Sequence, residues 1–242
     1  MFVLAGAMGA SAAGAQLSGT LSALSDYRYR GVSLSQQKPA VQASVGYDDP
    51  SGFYGGLFGS TVELAGESTT SGQALVYLGW VTPIGSGLHW DLGGDYSAFS
   101  DGRGYDFGEL YTGITTSNFN VRLHYSPDYF GSDRSSWYAE VNGSVPLGDD
   151  FALFAHLGVL VPVGQGAYPP TSGLRNPVDA SVGVGRDFGG FTVQIAWVGT
   201  SGTGALYPLN GTQPNPYGTG GLYPLDGTQR RNTVVGSLSW SF

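Results

Sequence analysis

Apolar and polar residues alternate along most of this chain, and the last segment shows it most clearly. Between Asn232 and Phe242, Val234, Gly236, Leu238, Trp240 and Phe242 share one face, and Ser237, Ser239 and Ser241 alternate with them. A period of two marks a strand whose faces meet different surroundings. The pattern predicts twelve strands, at 17–30, 39–48, 53–64, 73–83, 88–98, 107–116, 119–126, 136–145, 151–161, 178–187, 191–200 and 232–242. In the fifth, Leu88, Trp90, Leu92, Tyr96 and Ala98 oppose His89, Asp91, Asp95 and Ser97. In the seventh, Phe119, Val121, Leu123 and Tyr125 oppose Asn120, Arg122, His124 and Ser126. Strands three, four and six carry apolar residues on both faces.

The connections alternate as strictly as the residues. Five are short, at 48–52, 83–87, 115–118, 146–150 and 187–190, and rich in Gly, Pro, Asp and Asn as hairpin turns require. Six are longer, at 31–38, 65–72, 99–106, 127–135, 162–177 and 201–231. Short and long take turns without exception, which is how an outer-membrane barrel places turns in the periplasm and loops outside the cell. Pro83, Pro127, Pro146 and Pro162 lie at strand ends, where a missing N–H harms no ladder. Trp80, Trp90, Trp137, Trp197 and Trp240 also fall near strand ends, where aromatic girdles meet the membrane interfaces.

Composition agrees. Only 12% of the 242 residues are charged, about half of what a soluble domain carries, while 41 are Gly and 13% are aromatic. After residue 15 there is no apolar run of the ~20 residues a spanning helix needs. The predicted fold is therefore all-β, an antiparallel up-and-down transmembrane β-barrel of twelve strands in the bacterial outer membrane. A net charge of −8 without a basic patch excludes nucleic-acid binding. Residues 1–15 read as the apolar remnant of an export signal, with Ala13-Gly14-Ala15 as a small-residue cleavage site. Residues 16–242 then form a single barrel domain.

With the apolar faces turned to lipid, the other faces line the lumen. They carry Asp26, Arg28 and Arg30 on strand one, Asp91 and Asp95 on strand five, Arg122 and His124 on strand seven, and Glu140 on strand eight, with Glu63 and Glu109 beside them. Arg122 has Glu109 and Glu140 on its two neighbouring strands, which reads either as a constriction that sorts solutes or as a salt-bridge ladder that closes the interior. Twelve strands tilted by ~40° give a backbone diameter of roughly 24 Å. The loop 201–231 is the expected plug, and it contains a near-repeat, Leu206 to Gln213 against Leu222 to Gln229. His124 and Ser126 share a strand face as a hydrolase pair would, but Val121, Leu123 and Tyr125 claim the lipid face, so no enzyme is expected. His89 and His156 read as satisfied polar residues. No metal-ligand spacing and no cofactor motif are present.

The amino-terminal third resembles a known family. Ser25-Asp-Tyr-Arg-Tyr-Arg-Gly-Val-Ser33, Lys38-Pro-Ala-Val-Gln42, Tyr47, Ser51-Gly-Phe-Tyr-Gly-Gly56 and Gly59-Ser60 look like the Gcw_chp family, also called the TorF family of porins. The resemblance implies an outer-membrane barrel and a pore. The leading expectation is passive diffusion of small hydrophilic solutes or ions. The alternatives are a closed barrel whose external loops bind or stiffen, and a lipid hydrolase. Outer-membrane lipids and the barrel-assembly machinery are the expected partners, with Val234, Leu238, Trp240 and Phe242 as the insertion signal.

Overall fold

A computed structural model describes residues 15–64, 70–100, 104–163, 176–201 and 231–242. The expected export signal, up to residue 14, and the repeat-bearing loop, apart from Ser201 and Arg231, lie outside the described residues. The wall is built from β1 (Gln16–Leu24), β4 (Ala40–Asp48), β5 (Phe53–Val62), β6 (Ser71–Gly85), β7 (Leu88–Phe99), β8 (Phe107–Thr115), β9 (Phe119–Ser126), β10 (Ser136–Gly148), β11 (Phe151–Pro162), β12 (Val178–Asp187), β13 (Phe191–Ser201) and β14 (Asn232–Ser241). Each pairs antiparallel with its neighbours in sequence, and β14 returns to β1 to close a twelve-stranded barrel. Two further short strands, β2 (Arg28–Tyr29) and β3 (Val32–Ser33), pair only with each other.

Closure is a matter of register. Thr20 faces Ser241 and Leu24 faces Ser237 across the β1–β14 seam. Beyond the last ladder pair, Gly19 N–H donates to Phe242 O at 2.9 Å and Phe242 N–H donates to Gly19 O at 3.0 Å. The Phe242 ring lies over Gly19, and a Cβ there would strike it. Gly19 is thus needed for close approach, and Phe242 seals the wall.

Alternation sorts the faces as expected. Leu17, Leu57, Leu110, Ile195 and Val234 stand exposed on the outside. Trp80, Trp90 and Trp240 ring the short-turn end, and Trp137 and Trp197 the long-loop end. Their indole N–H groups stay satisfied where bonds are described: Trp80 Nε1 donates to Ser51 O at 2.9 Å and Trp90 Nε1 to Thr112 Oγ1 at 2.8 Å. At the first short turn Asp49 accepts from the Ser51 N–H at 2.9 Å and from the Tyr47 hydroxyl at 3.1 Å. Hydrogen bonding, chiefly from Ser51, holds its carboxyl below the usual carboxylate range.

Many of the glycines face inward and seat aromatic rings. Tyr54 crosses Gly79, Tyr77 crosses Gly56, Tyr111 crosses Gly93, Tyr138 crosses Gly158 and Phe154 crosses Gly183. Such pairs bring large side chains flat against the wall and fix strand register.

One boundary differs. The first strand, predicted over 17–30, stops at Leu24. Ser25 makes the last bonds to β14, donating its N–H to Gly236 O at 2.9 Å and accepting from Gly236 N–H through its side-chain Oγ at 3.0 Å. The chain then leaves the wall and turns into the barrel, so Asp26, Arg28 and Arg30 sit on an inner hairpin and not on the first strand. The alternating pattern runs on because β2 is also extended, and a period of two cannot tell a wall strand from an inner one.

Gly158→Leu is expected to cost about 1–3 kcal/mol by overpacking against Tyr138. Outward Gly236, where an added Cβ would have nothing within 4 Å, should accept Ala with little change. Urea unfolding in detergent, followed by the heat-modifiable gel shift of folded barrels, reads both.

Candidate functional site in the lumen

The inner hairpin organises the lumen. Every residue from Asp26 to Ser35 is buried. Asp26 ties the hairpin to itself: its carboxylate accepts from Ser33 Oγ at 2.5 Å, Ser35 Oγ at 3.3 Å and Arg28 Nε at 2.8 Å. Arg28 Nη1 donates to Gly31 O at 2.9 Å, closing the turn. The hairpin is also bonded to the wall. Tyr27 Oη donates to Gln73 Oε1 at 3.0 Å, and Glu63 N–H donates to Leu34 O at 2.7 Å.

Its tip reaches the far side. Gly31 has φ +77°, and a Cβ there would meet Asp179 on β12. Arg30 donates to both oxygens of Glu109 on β8, at 3.0 and 2.6 Å. The Arg30 guanidinium also stands 3.9 Å from the centre of the Tyr138 ring on β10. Strands β8 and β10 lie across the barrel from β1 and β4, where the hairpin is rooted, so the hairpin crosses the lumen. Around it, Phe99, Tyr105, Phe107, Tyr129 and Phe130 join Tyr29, Val32 and Leu34 in one apolar cluster. Tyr129 and Phe130 enter it from a 3-10 turn, Tyr129–Gly131, in the connection between β9 and β10.

A second group of charges lies on the wall. Arg122 pairs with Asp91, Nη2 at 2.5 Å and Nε at 3.0 Å, and not with Glu109 or Glu140 as its neighbouring strands suggested. Register explains the choice. Asp91, Gly113 and Arg122 occupy one row across β7, β8 and β9, and a Cβ on Gly113 would collide with Arg122 Cγ. The missing side chain lets Arg122 cross β8 to Asp91. Tyr54 Oη donates to the same carboxylate at 2.5 Å. Asp95 sits opposite Glu109 in register. His124 Nε2 lies 3.4 Å from Glu140 Oε1, and its Nδ1 3.7 Å from Glu109 Oε2.

A third group carries no signal as a unit in the sequence. His156 holds Asn142 Oδ1 at 2.6 Å through Nδ1 and Asp179 Oδ1 at 2.7 Å through Nε2. Tyr138 Oη donates to Asp179 at 3.2 Å, and Asn142 Nδ2 donates to Asn120 Oδ1 at 3.0 Å. His156 is thus satisfied, as expected. Asp179 was missed, although it stands between outward Val178 and Ala180 in an alternating segment.

Among the described residues, three guanidinium groups (Arg28, Arg30, Arg122) face six carboxylates (Asp26, Asp91, Asp95, Glu109, Glu140, Asp179), so acidic groups outnumber the permanently basic ones by three, with His124 and His156 set against Glu140 and Asp179. These groups sit on the hairpin and on strands β7 to β12. The inward residues of β1, β4 and β14 are uncharged above the turn, with Thr20 and Ser241 Oγ atoms 3.2 Å apart and Ser22 and Ser239 Oγ atoms 2.8 Å apart. Glu63 lies at the rim, paired with Lys38 at 2.5 Å. Ligand atoms of Asp95, Glu109 and His124 lie within 4.8 Å of one another, a spacing that could hold a metal ion, but Arg30 already engages both Glu109 oxygens. Ser126 Oγ donates to Gly108 O at 2.9 Å while His124 turns to Glu140, so the hydrolase pair is not assembled.

Val234, Leu238, Trp240 and Phe242 all stand exposed on the outer face at the β14 seam. With its apolar outside and charged inside, the barrel is built for the bacterial outer membrane. Solved structures share the architecture. A KdgM porin aligns over 93% of this chain and 99% of its own, with TM-score 0.55 and 9% identity. A NanC porin aligns over 94% and 99%, with TM-score 0.52 and 10% identity. A KdgM porin in complex with disordered oligogalacturonate aligns over 94% and 99%, with TM-score 0.51 and 9% identity. No curated protein matches the chain. The resemblance carried by residues 25–60 extends over most of the sequence: a family model matches residues 8–217, and the chain belongs to that family, Gcw_chp, described as a bacterial protein of unknown function.

Proposed function

We propose that this barrel is a narrow outer-membrane channel for small hydrophilic solutes that favours cations, with the inner hairpin as its constriction. The observation that supports the reading is the excess of carboxylates, among the described residues, inside the closed wall. Asp91, Asp95, Glu109, Glu140, Arg122 and His124 line it, and Asp26, Arg28 and Arg30 shape the hairpin that narrows it. The uncharged Ser and Thr wall of β14, β1 and β4 gives permeating ions a weakly binding side, and conduction needs sites that release as well as bind. Oligogalacturonate, the ligand in the KdgM complex, is a polyanion, and the acidic lumen here disfavours such a cargo. On the outside, Val234, Leu238, Trp240 and Phe242 are the segment offered to the barrel-assembly machinery.

A second reading is a closed barrel that stiffens the envelope. Burial of the whole hairpin, with Leu34 at 0% and Val32 at 3% exposure, favours it. Planar-bilayer recording separates the two. The channel reading expects discrete steps and a reversal potential of cation preference in a KCl gradient, and folded protein without steps would leave the closed barrel. Asp95→Asn and Glu140→Gln should each reduce the cation preference.

Replacing residues 25–38 with a short Gly-Ser turn should raise conductance several-fold, and unchanged conductance would remove the hairpin as the constriction. Arg30→Met is expected to cost about 3–5 kcal/mol in urea unfolding, because it strips the buried Glu109 of its guanidinium and leaves it only the Tyr29 hydroxyl and His124. The double variant Arg30→Met/Glu109→Gln should recover most of that loss.

A further inference from the structure

Among the described residues of the twelve wall strands, one charged side chain falls on the outward register. It is Arg186, one residue from the short-turn end of β12. Its ladder partners are Phe151 on β11 and Val193 on β13, both outward and exposed. The guanidinium stands 4.9 Å from the ring centre of Phe151 and 4.9 Å from that of Phe188. It makes no ion pair among the described residues. A cation on the lipid face is tolerated at the interface, where its cost falls to about 0–1 kcal/mol, and there it meets headgroups.

The groups just beyond Arg186 are acidic. Asp187 follows it in sequence, and the Asp187 N–H donates to Asp150 O at 3.0 Å, which holds the 149–150 turn beside the 188–190 turn. Asp149, Asp150 and Asp187 are exposed. The Asp187 carboxylate is engaged by Gly189 N–H at 2.8 Å and Thr192 Oγ1 at 3.1 Å. At this end of the barrel one guanidinium and its two aromatic rings thus stand beside the exposed carboxylates of the two turns.

We propose that the short-turn end of β11 and β12 is a seat for the phosphoethanolamine headgroup of a phospholipid in the periplasmic leaflet. The Arg186 fork takes the phosphate, with the Phe151 and Phe188 rings holding the guanidinium between them. The ammonium, which lies farther from the acyl chains than the phosphate, falls at the level of the Asp149 and Asp150 turn. A headgroup of net negative charge has the same phosphate for Arg186 but no cation for the acids, which repel it. A choline headgroup has a cation that cannot donate hydrogen bonds. The seat is independent of whether the lumen conducts.

The test is lipid retention by the intact barrel, released from detergent in native mass spectrometry after equilibration with equal parts of phosphatidylethanolamine, phosphatidylglycerol and phosphatidylcholine. Wild type should retain phosphatidylethanolamine in preference to both others. Arg186→Gln should lower that retention by about fivefold, the scale of one basic side chain at a membrane surface. Asp149→Asn/Asp150→Asn should keep phospholipid bound but move the preference toward phosphatidylglycerol. All three proteins are compared as folded, heat-modifiable species, and because the ladder and ring neighbours described for Arg186 are all exposed, its replacement leaves the interior intact. Equal retention of the three lipids by wild type, or undiminished phosphatidylethanolamine on Arg186→Gln, overturns the proposal. An Asp pair variant with unchanged preference also overturns it, since the ammonium contact is then absent.

Discussion

Hydrocarbon offers no hydrogen bonds, so a sheet in a bilayer can leave no strand edge unpaired. Everything else in this protein depends on that requirement. It forces β14 back onto β1 and brings Gly19 and Phe242 together through two backbone bonds. Closure then divides each strand into a face that sees lipid and a face that does not. The outward residues become Leu, Val, Ile and aromatic, interrupted by Gly, Ala and Thr, and among the described residues charge is expelled from that register except at Arg186.

Expelled charge has to be accommodated inside, and there it is balanced through missing side chains. Gly113 lets Arg122 reach Asp91, and Gly31 lets the hairpin tip approach Asp179. The Arg122–Asp91 pair thus depends on a glycine as much as on its two charged members. The same economy of space seats tyrosines over Gly56, Gly79, Gly93 and Gly158. The result is a wall whose inner surface carries its charges along β7 to β12 and is uncharged above the turn along β14, β1 and β4.

The hairpin adds a feature that an up-and-down barrel does not require. Its apolar residues Tyr27, Tyr29, Val32 and Leu34 join Phe99, Phe107, Tyr129 and Phe130 in a cluster enclosed by the wall. An apolar core of the kind found in soluble domains therefore sits within the long-loop half of a membrane barrel. Asp26 stabilises the hairpin from within and Arg30 anchors it to Glu109, so the segment that resembles the family most clearly is also the one that crosses the lumen.

Strand number, order, faces and address were legible in the chain because each depends on local alternation and on the lengths of connections. Eleven of the twelve expected strands fall within a few residues of the observed ones, and only the first ran long. The partners of the charged residues were not legible. Arg122 has Glu140 directly opposite on β10 and still bonds to Asp91 two strands away. Asp26, Arg28 and Arg30 alternate like wall residues yet leave the wall at Ser25, and Asp179 and His156 meet through neighbouring strands about 20 residues apart in sequence. Which residues avoid lipid is written in consecutive positions, since a period of two needs nothing but the next residue. Which of them meet is a property of the closed barrel, because contacts across a lumen depend on stagger, tilt and the glycines between, and on where an extra segment of chain finds room.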